Sequence, residues 1–175
     1  MEQGQCLWCA IVSNKQPSAK IYEDSDFIAV LDIRPANYGH VLVIPKEHFQ
    51  TVFEMPPALS EKLFSLCIKL SSKIIQAVPC EGLNMIYGIG QAAGQRVPHV
   101  LVHLIPRLSA DKVIINWDSI EPKQEEFNKI FSALVSALKT ETIVQPVEKP
   151  KPEPAPVPEQ PKKEEVIRWV DRRVP

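Results

Sequence analysis

The fold of this chain is decided by the stretch Gly94-Gln95-Arg96-Val97-Pro98-His99-Val100-Leu101-Val102-His103-Leu104-Ile105-Pro106-Arg107. β-Branched and aliphatic residues run almost continuously through it, and two histidines lie four residues apart. Successive side chains of a strand point to opposite faces of the sheet. If the stretch is one strand, a core buries one face with Val100, Val102 and Leu104, and the other face carries Val97, His99, Leu101, His103 and Ile105.

Strands and helices are expected on both sides of this stretch. Turn residues at 23–26 separate two apolar runs, which predicts a β-hairpin with strands at 21–22 and 27–31, and residues 40–45 and 84–89 predict two further strands. Apolar residues at helical spacing predict one helix between the proline pair at 56–57 and Pro79, and a second over 122–138. The second helix is expected to bury a stripe of Phe127, Ile130, Phe131, Leu134, Val135 and Leu138. The sequence therefore predicts an α+β fold with an antiparallel sheet.

The composition is typical of an intracellular globular protein. The chain has 175 residues, of which 45% are hydrophobic, and its formal net charge is −1. This length suits one domain with an appendage, and the charge gives no electrostatic bias toward nucleic acid. No apolar run is long enough to span a bilayer, and the first residues lack the features of a signal peptide. We therefore expect a cytoplasmic protein whose four cysteines serve as thiols or metal ligands rather than disulfides.

Cys6 and Cys9 have the Cys-x-x-Cys spacing of a metal knuckle. A structural zinc site needs four ligands. The pair alone therefore leaves open a metal site, a redox pair and two incidental thiols.

The stretch at 95–107 resembles the signature of the histidine triad (HIT) family, Gln-[Ser/Thr]-Val-x-His-x-His-x-His followed by Pro-Arg. Further matches occur in the family's order at residues 6–9, 31–33 and 39–48, so the resemblance covers about residues 6–138. It implies a HIT-like fold, in which a five-stranded antiparallel sheet carries a long helix and a C-terminal helix. It also implies a homodimer.

The resemblance implies a zinc ion held by Cys6, Cys9, His48 and His99. Two thiolates and two neutral imidazoles give Zn²⁺ a tetrahedral shell with no open position, which suits a structural site. The alternative is that the two histidines are ordinary residues at strand ends.

The resemblance also implies a purine-nucleotide site. Asp32 stands where the family has the aspartate that accepts the ribose hydroxyls, and Gln95 and the last triad histidine, His103, are retained. His40 stands where the family has a histidine that buttresses the triad. Plain core packing is an alternative for the apolar positions that would hold the base, and above all for Val30; these positions are Leu7, Trp8, Ile11, Val30 and Ile33.

Three positions depart from the family's pattern. Leu101 replaces the nucleophilic histidine, Arg96 replaces a Ser or Thr, and Gly88 falls near the phosphate-binding asparagine. Leucine has no lone pair with which to attack phosphorus, so we predict a pseudo-enzyme that keeps only His40 and His103 of the catalytic set. Arg96 could clamp a phosphate. An engineered Leu101 in a working enzyme would not explain three departures at once.

The composition changes beyond residue 142, where prolines alternate with Lys, Glu and Val. We predict a HIT-like domain at 1–142, a disordered but semi-rigid Pro-rich linker at 143–163 and a tail motif at 164–175. The tail could dock on the domain, be an incidental sticky end, or bind a protein or ribonucleoprotein partner through Ile167, Trp169, Val170, Arg172 and Arg173.

Three functions follow as hypotheses. The favoured one is a zinc-containing domain that binds a purine nucleotide without cleaving it. The second is an active phosphoramidase or dinucleoside polyphosphate hydrolase that uses water directly, with His103 as acid or base. The third is a scaffold that acts through its tail and binds no small ligand.

Overall fold

The computed structural model describes residues 6–138, which divide into two units, 6–116 and 117–138. The first unit contains helix α1 (Leu7–Val12), the long helix α2 (Pro57–Ala77) and five strands; the second contains helix α3 (Gln124–Leu138). The strands are β1 (Lys20–Glu23), β2 (Phe27–Leu31), β3 (Val41–Pro45), β4 (Gly82–Ile86) and β5 (Val102–Arg107). The predicted linker at 143–163 and the tail at 164–175, with its candidate partner residues, lie outside the described residues.

The five strands form one antiparallel sheet in the order β1-β2-β3-β5-β4. The predicted five-stranded α+β fold is therefore confirmed. The hairpin turn between β1 and β2 is held by Asp24, whose Oδ1 accepts hydrogen bonds from the backbone N–H groups of Asp26 (2.8 Å) and Phe27 (2.7 Å).

The two faces of the sheet bury different clusters. One face packs against α2, with Ala29, Val43, Val102 and Leu104 each 0% exposed. The opposite face carries a smaller cluster of Ile11, Ile28, Val30, Leu42 and Ile44, against which Trp8, Val12 and Leu101 pack. Across this second face β5 pairs its His103 with Leu42 of β3 on one side and with Ile86 of β4 on the other. His103 therefore lies on the face away from α2.

The decisive stretch is a strand only from Val102 onward. Before it, the backbone N–H of His99 donates to Val97 O (2.8 Å), and the N–H of Val100 donates to Phe49 O (2.8 Å). Pro98 has no N–H to give to a ladder, so the predicted single strand beginning near Val97 is wrong. Val100, Val102 and Leu104 are nevertheless buried, as the alternation predicted.

Helix α3 forms where its periodicity predicted, but its apolar stripe is not buried. Phe131 and Val135 are half-buried, and the exposed fraction is 39% for Phe127 and 70% for Leu138. The prediction of a buried stripe is wrong, because periodicity shows that a helix has an apolar face without showing what covers it. In residues 6–138, no helix is long and apolar enough to cross a membrane.

Candidate functional site

Two cysteines and two histidines from three segments converge beside α1. Cys6 immediately precedes the helix and Cys9 lies within it, whereas His48 follows β3 and His99 precedes β5. Cys6 Sγ lies 3.4 Å from His99 Nδ1, and Cys9 Sγ lies 3.2 Å from His48 Nδ1 and 3.7 Å from His99 Nδ1. The four candidate ligand atoms all lie within 4.8 Å of one another.

The geometry and chemistry of this cluster suit a tetrahedral metal ion. With Zn–S near 2.3 Å and Zn–N near 2.05 Å, tetrahedral angles place S and N about 3.6 Å apart, which is close to the distances found here. His99 Nε2 lies 3.1 Å from the carbonyl oxygen of Pro45, which can only accept, so Nε2 carries the proton. In the neutral ring Nδ1 then presents its lone pair to the thiols. His99 is 2% exposed, and burial lowers its pKa, which favours the neutral form.

The Cys9 thiol is neutral without a bound cation. Burial, together with a hydrogen bond that the Cys9 thiol donates to Cys6, raises the pKa of the Cys9 thiol to about 11. A bound Zn²⁺ would reverse this preference, because a coordinating thiol is deprotonated by the metal's charge. The residues present therefore fit zinc.

A second polar group lies on the sheet face away from α2. His40 Nε2 lies 3.0 Å from His103 Nδ1, and Asp32 Oδ2 lies 3.5 Å from His40 Nδ1. The backbone N–H of Ala36 donates to His40 Nδ1 (3.2 Å), so in the neutral ring His40 Nε2 carries the proton and donates to His103. His103 Nε2 is then protonated, and residues 6–138 offer it no acceptor.

Both histidines of this pair are held neutral by burial. Burial lowers the pKa of His40 and of His103, although the Asp32 carboxylate opposes the shift in each case. The unfolded chain has ordinary histidine pKa values near 6.5, so it binds more protons than the folded chain below that pH. Stability contributed by the neutral pair is therefore present above pH 6.5 and lost as the pH falls through the depressed pKa values.

This linkage predicts that the melting temperature falls between pH 7.5 and pH 5, and that His103→Gln reduces the fall. Any metal held by His48 and His99 would be released in acid and would also lower the melting temperature, but this effect is common to both proteins. Melting curves of the parent and the variant, recorded at matched pH with zinc in excess, give the difference. If the melting temperatures of the two proteins fall in parallel with pH, the pKa values of His40 and His103 do not change on unfolding.

A cavity of about 430 Å³ lies between α1, β4, β5 and the loop at 88–97. Its wall includes Trp8, Ile86, Leu101 and His103. Gln95 and Arg96 also line it, from the loop. The exposed Arg96 guanidinium makes no hydrogen bond or ion pair with residues 6–138. The cavity therefore combines an apolar wall with a few polar groups, as ligand sites usually do.

Comparison with known proteins identifies the family. The HIT domain model matches residues 13–110. The chain is 33% identical over 151 residues to the adenylylsulfatase HINT3 of Arabidopsis thaliana, covering 82% of this chain and 76% of the relative. It is 33% identical over 135 residues to the adenosine 5′-monophosphoramidase hnt1 of Schizosaccharomyces pombe, covering 77% and 98%.

The chain belongs to the HIT family. A Zn-bound histidine triad family protein from Mycobacterium smegmatis has the same fold, with a TM-score of 0.60 and 33% identity over 78% of this chain and 97% of that one. The resemblance seen in the signature is thus confirmed at the level of the family.

The predicted nucleotide positions of this HIT protein separate into two groups. Trp8, Gln95, Arg96 and His103 line the cavity, together with Leu101 at the nucleophile position. The others do not: Ile11 and Val30 belong to the small core cluster, Leu7 and Ile33 are 50% and 88% exposed, and Asp32 lies behind His40. Ile11 and Val30 therefore pack in the core, which is the alternative that we gave above for the apolar positions.

Two features of the HIT protein's cavity were not predicted. The Gln95 amide braces the loop: its Oε1 accepts from Gly90 N–H (2.8 Å), and its Nε2 donates to the carbonyls of Gln50 (2.8 Å) and Val97 (3.3 Å). The carbonyl of Ala93 presses against Gly88 so closely that a Cβ there would overlap its oxygen. Three glycines within seven residues, at 88, 90 and 94, are the signal in the sequence for such a tight loop.

The contact at Gly88 gives a prediction with a matched control. Gly88→Ala should destabilise the domain by about 1–3 kcal/mol, because backbone rather than a flexible side chain must move. Gly82→Ala, in β4, has nothing within 4 Å of its new methyl group and should change stability by less than about 0.5 kcal/mol. Urea unfolding of the two variants tests the difference. If both variants lose the same free energy of unfolding, the Ala93 carbonyl moves away from a side chain at position 88 at little cost.

Proposed function

We propose that this HIT protein binds an adenine nucleotide without cleaving it. The observation that carries the proposal is Leu101, which lines the cavity and packs against the small core cluster. Its position in the signature is that of the family's nucleophile. An aliphatic side chain offers no lone pair, so no covalent intermediate with phosphorus can form there.

The neighbouring histidines do not replace the missing group. His99 turns its Nδ1 toward the two thiols and its Nε2 toward Pro45, so its nitrogens are occupied by the metal cluster. His103 receives a hydrogen bond from His40 and keeps its Nε2–H as a donor. A protonated ring nitrogen cannot attack phosphorus, and a group two residues from the in-line position is displaced by about 6–7 Å along an extended chain.

Zinc at Cys6, Cys9, His48 and His99 would be structural. All four positions of its shell are filled by protein, so it supplies no open site for water or substrate. Its role is to tie α1, the segment after β3 and the segment before β5 together, which positions Trp8 and Leu101 at the cavity. The fit of the S···N distances supports zinc, and so does the zinc in the Mycobacterium smegmatis relative.

The ligand class follows from the relatives. One is named for adenylylsulfate and another for adenosine 5′-monophosphoramidate chemistry, so both act on an adenylyl group. We therefore propose an adenine nucleotide in the cavity, with Trp8 and Leu101 against its apolar surface and Arg96 at the rim. A homodimer, and a partner bound by the tail at 164–175, complete the proposal, with domain boundaries at 142 and 163.

Calorimetry and an activity assay together test this function. AMP should bind with millimolar or tighter affinity, and adenosine 5′-phosphoramidate should be hydrolysed no faster than in buffer. Absence of AMP binding would contradict the proposed ligand. Turnover like that of an active relative would contradict the proposed loss of catalysis. Pulldown with and without residues 144–175 tests the tail.

A second candidate, hydrolysis by water, has one observation in its favour. His40 Nε2 donates to His103 Nδ1, and the Asp32 carboxylate lies 3.5 Å from His40, which leaves the N–H of His103, a residue that lines the cavity, available as a general acid. Turnover that is lost in His103→Ala would establish this candidate.

A further inference from the structure

Helix α3 exposes a row of apolar side chains, which we call the α3 stripe. Its members recur at spacings of three or four residues, which places them on one side of the helix; they are Phe127, Ile130, Leu134 and Leu138. Their exposed fractions are 39%, 60%, 59% and 70%. Since a large apolar side chain has roughly 150–250 Å² of surface, the stripe leaves on the order of 400 Å² uncovered, near the largest patch that a typical monomer exposes. A patch of this size marks an interaction surface.

The second half of α3 has no charged side chain on any side. Residues 130–138 are Ile-Phe-Ser-Ala-Leu-Val-Ser-Ala-Leu. At 100° per residue, Ser132 and Ser136 lie opposite the α3 stripe, and Ala133 and Ala137 lie beside it. A helix that meets water on its outer face usually carries charged residues there, and small residues beside an apolar stripe let a second helix approach closely. The composition therefore favours a helix that is covered in an assembly.

The charges of the second unit lie in its first half and favour one orientation of such a helix pair. Four carboxylates and two ammonium groups give this half a net charge of −2; they are Asp118, Glu121, Lys123, Glu125, Glu126 and Lys129. A parallel pair of two copies would bring both acidic halves together. In an antiparallel pair, the first turns lie at opposite ends of a 15-residue helix, about 22 Å apart at 1.5 Å per residue, well beyond the Debye length of about 8 Å. Each acidic half then lies beside an uncharged half.

We propose that α3 pairs antiparallel with the α3 of a second copy of this chain, and that the α3 stripe of each copy covers that of the other. A two-fold pair needs the same self-complementary patch on both protomers, and an uncharged apolar stripe meets that requirement. The inference assigns a surface to the homodimer and rests on that part of the proposed function. None of the stripe residues belongs to the cavity or to the metal cluster, so loss of the pair leaves both sites complete.

Sedimentation equilibrium of the full chain, with zinc in excess, tests the surface with two lysine variants of α3. Leu134→Lys places a charge within the α3 stripe, and we expect the dissociation constant of the dimer to rise by at least about tenfold. Ser136→Lys is the matched control, because it adds the same charge to the opposite side of the same helix. Its dissociation constant should stay within about twofold of the parent's, as for an ordinary surface substitution.

The outcomes separate the surface from the homodimer itself. Equal dissociation constants in the parent and Leu134→Lys would overturn the inference and leave a homodimer that forms through another surface. An equal loss in both variants would overturn the assignment to the α3 stripe, and a monomeric parent would overturn the homodimer as well. Ile130→Lys should behave as Leu134→Lys does, and it provides a second test if Leu134→Lys loses its helical circular dichroism.

Ionic strength and a truncation test the orientation and the occupant. Between about 50 and 500 mM NaCl, the dissociation constant of an antiparallel dimer should change by less than about threefold, whereas a parallel dimer would tighten further as salt screens the two acidic halves. Removing residues 144–175 should leave the dimer intact. A chain that dimerises only after this removal would show that the tail, rather than a second copy, covers the α3 stripe.

Discussion

Removing the zinc proposed at Cys6, Cys9, His48 and His99 should lower the melting temperature of this HIT protein by at least about 10 °C. Zinc binding contributes about 10–16 kcal/mol in small zinc domains, whereas whole domains are stable by only about 5–15 kcal/mol. In a domain of about 110 residues, each kcal/mol corresponds to several degrees. Even a few kcal/mol of the metal's contribution would therefore be a large effect.

Cys9→Ser removes one ligand and should reproduce the effect of a chelator. Cys80→Ser is the matched control: Cys80 is a half-buried free cysteine outside the cluster, so its loss should leave both the metal content and the melting temperature unchanged. Metal content by elemental analysis and melting by circular dichroism give the two readouts. A chelated protein that melts with the parent, or one zinc retained in Cys9→Ser, would contradict a structural metal at this site.

Placing a histidine at the nucleophile position should not create an active enzyme. Loss of an activated nucleophile costs about 10⁶-fold in kcat in a well-studied hydrolase, so restoring a complete site would give a large gain. In Leu101→His we expect less than about 1% of the activity of an intact relative such as the Schizosaccharomyces pombe phosphoramidase. The phosphate would still lack donors at Gly88 and at the Gln95 amide, and differential binding of the transition state depends on such donors.

The double variant Leu101→His with Gly88→Asn makes this test sharper. If only missing side chains limit activity, the double variant should exceed the single one. Because the Ala93 carbonyl occupies the space beside Gly88, we expect it instead to be less stable and no more active. The matched control is Leu101→Met, which changes the same side chain without supplying a ring nitrogen and should therefore show no turnover. Full activity in Leu101→His would show that the loop at 88–97 still supports phosphate binding and catalysis.

The metal set could be predicted because the family resemblance pointed to it and its residue types suit zinc, whereas the Cys-x-x-Cys pair alone left it open. Cys6, Cys9, His48 and His99 were predicted as one metal set, and the fold brings their ligand atoms together. The five strands and α2 followed from periodicity and turn residues. The interruption of the strand at Pro98 could have been predicted, because proline has no N–H for the strand ladder. The apolar residues on both sides of Pro98 favoured one continuous strand instead.

The remaining features depend on tertiary contacts that periodicity does not encode. Gln95 was predicted to bind the nucleotide, yet its amide contacts backbone carbonyls from two segments, and only the folded loop brings Gln50 within reach. Ile11 and Val30 are apolar, so they could line a base-binding pocket or pack in the core. The position of α1 decides between these two roles. The exposure of Phe127 and Leu138 likewise cannot be read from the spacing of α3.

Trp8 lies between Cys6, which immediately precedes α1, and Cys9, which lies within it, so one short segment carries both thiols of the cluster and part of the cavity wall. Any event that displaces the thiols also displaces the indole. If the chain binds zinc and an adenine nucleotide as proposed, the two affinities should be thermodynamically coupled, and linkage makes the coupling reciprocal: a chain that holds its nucleotide should release zinc less readily to a chelator.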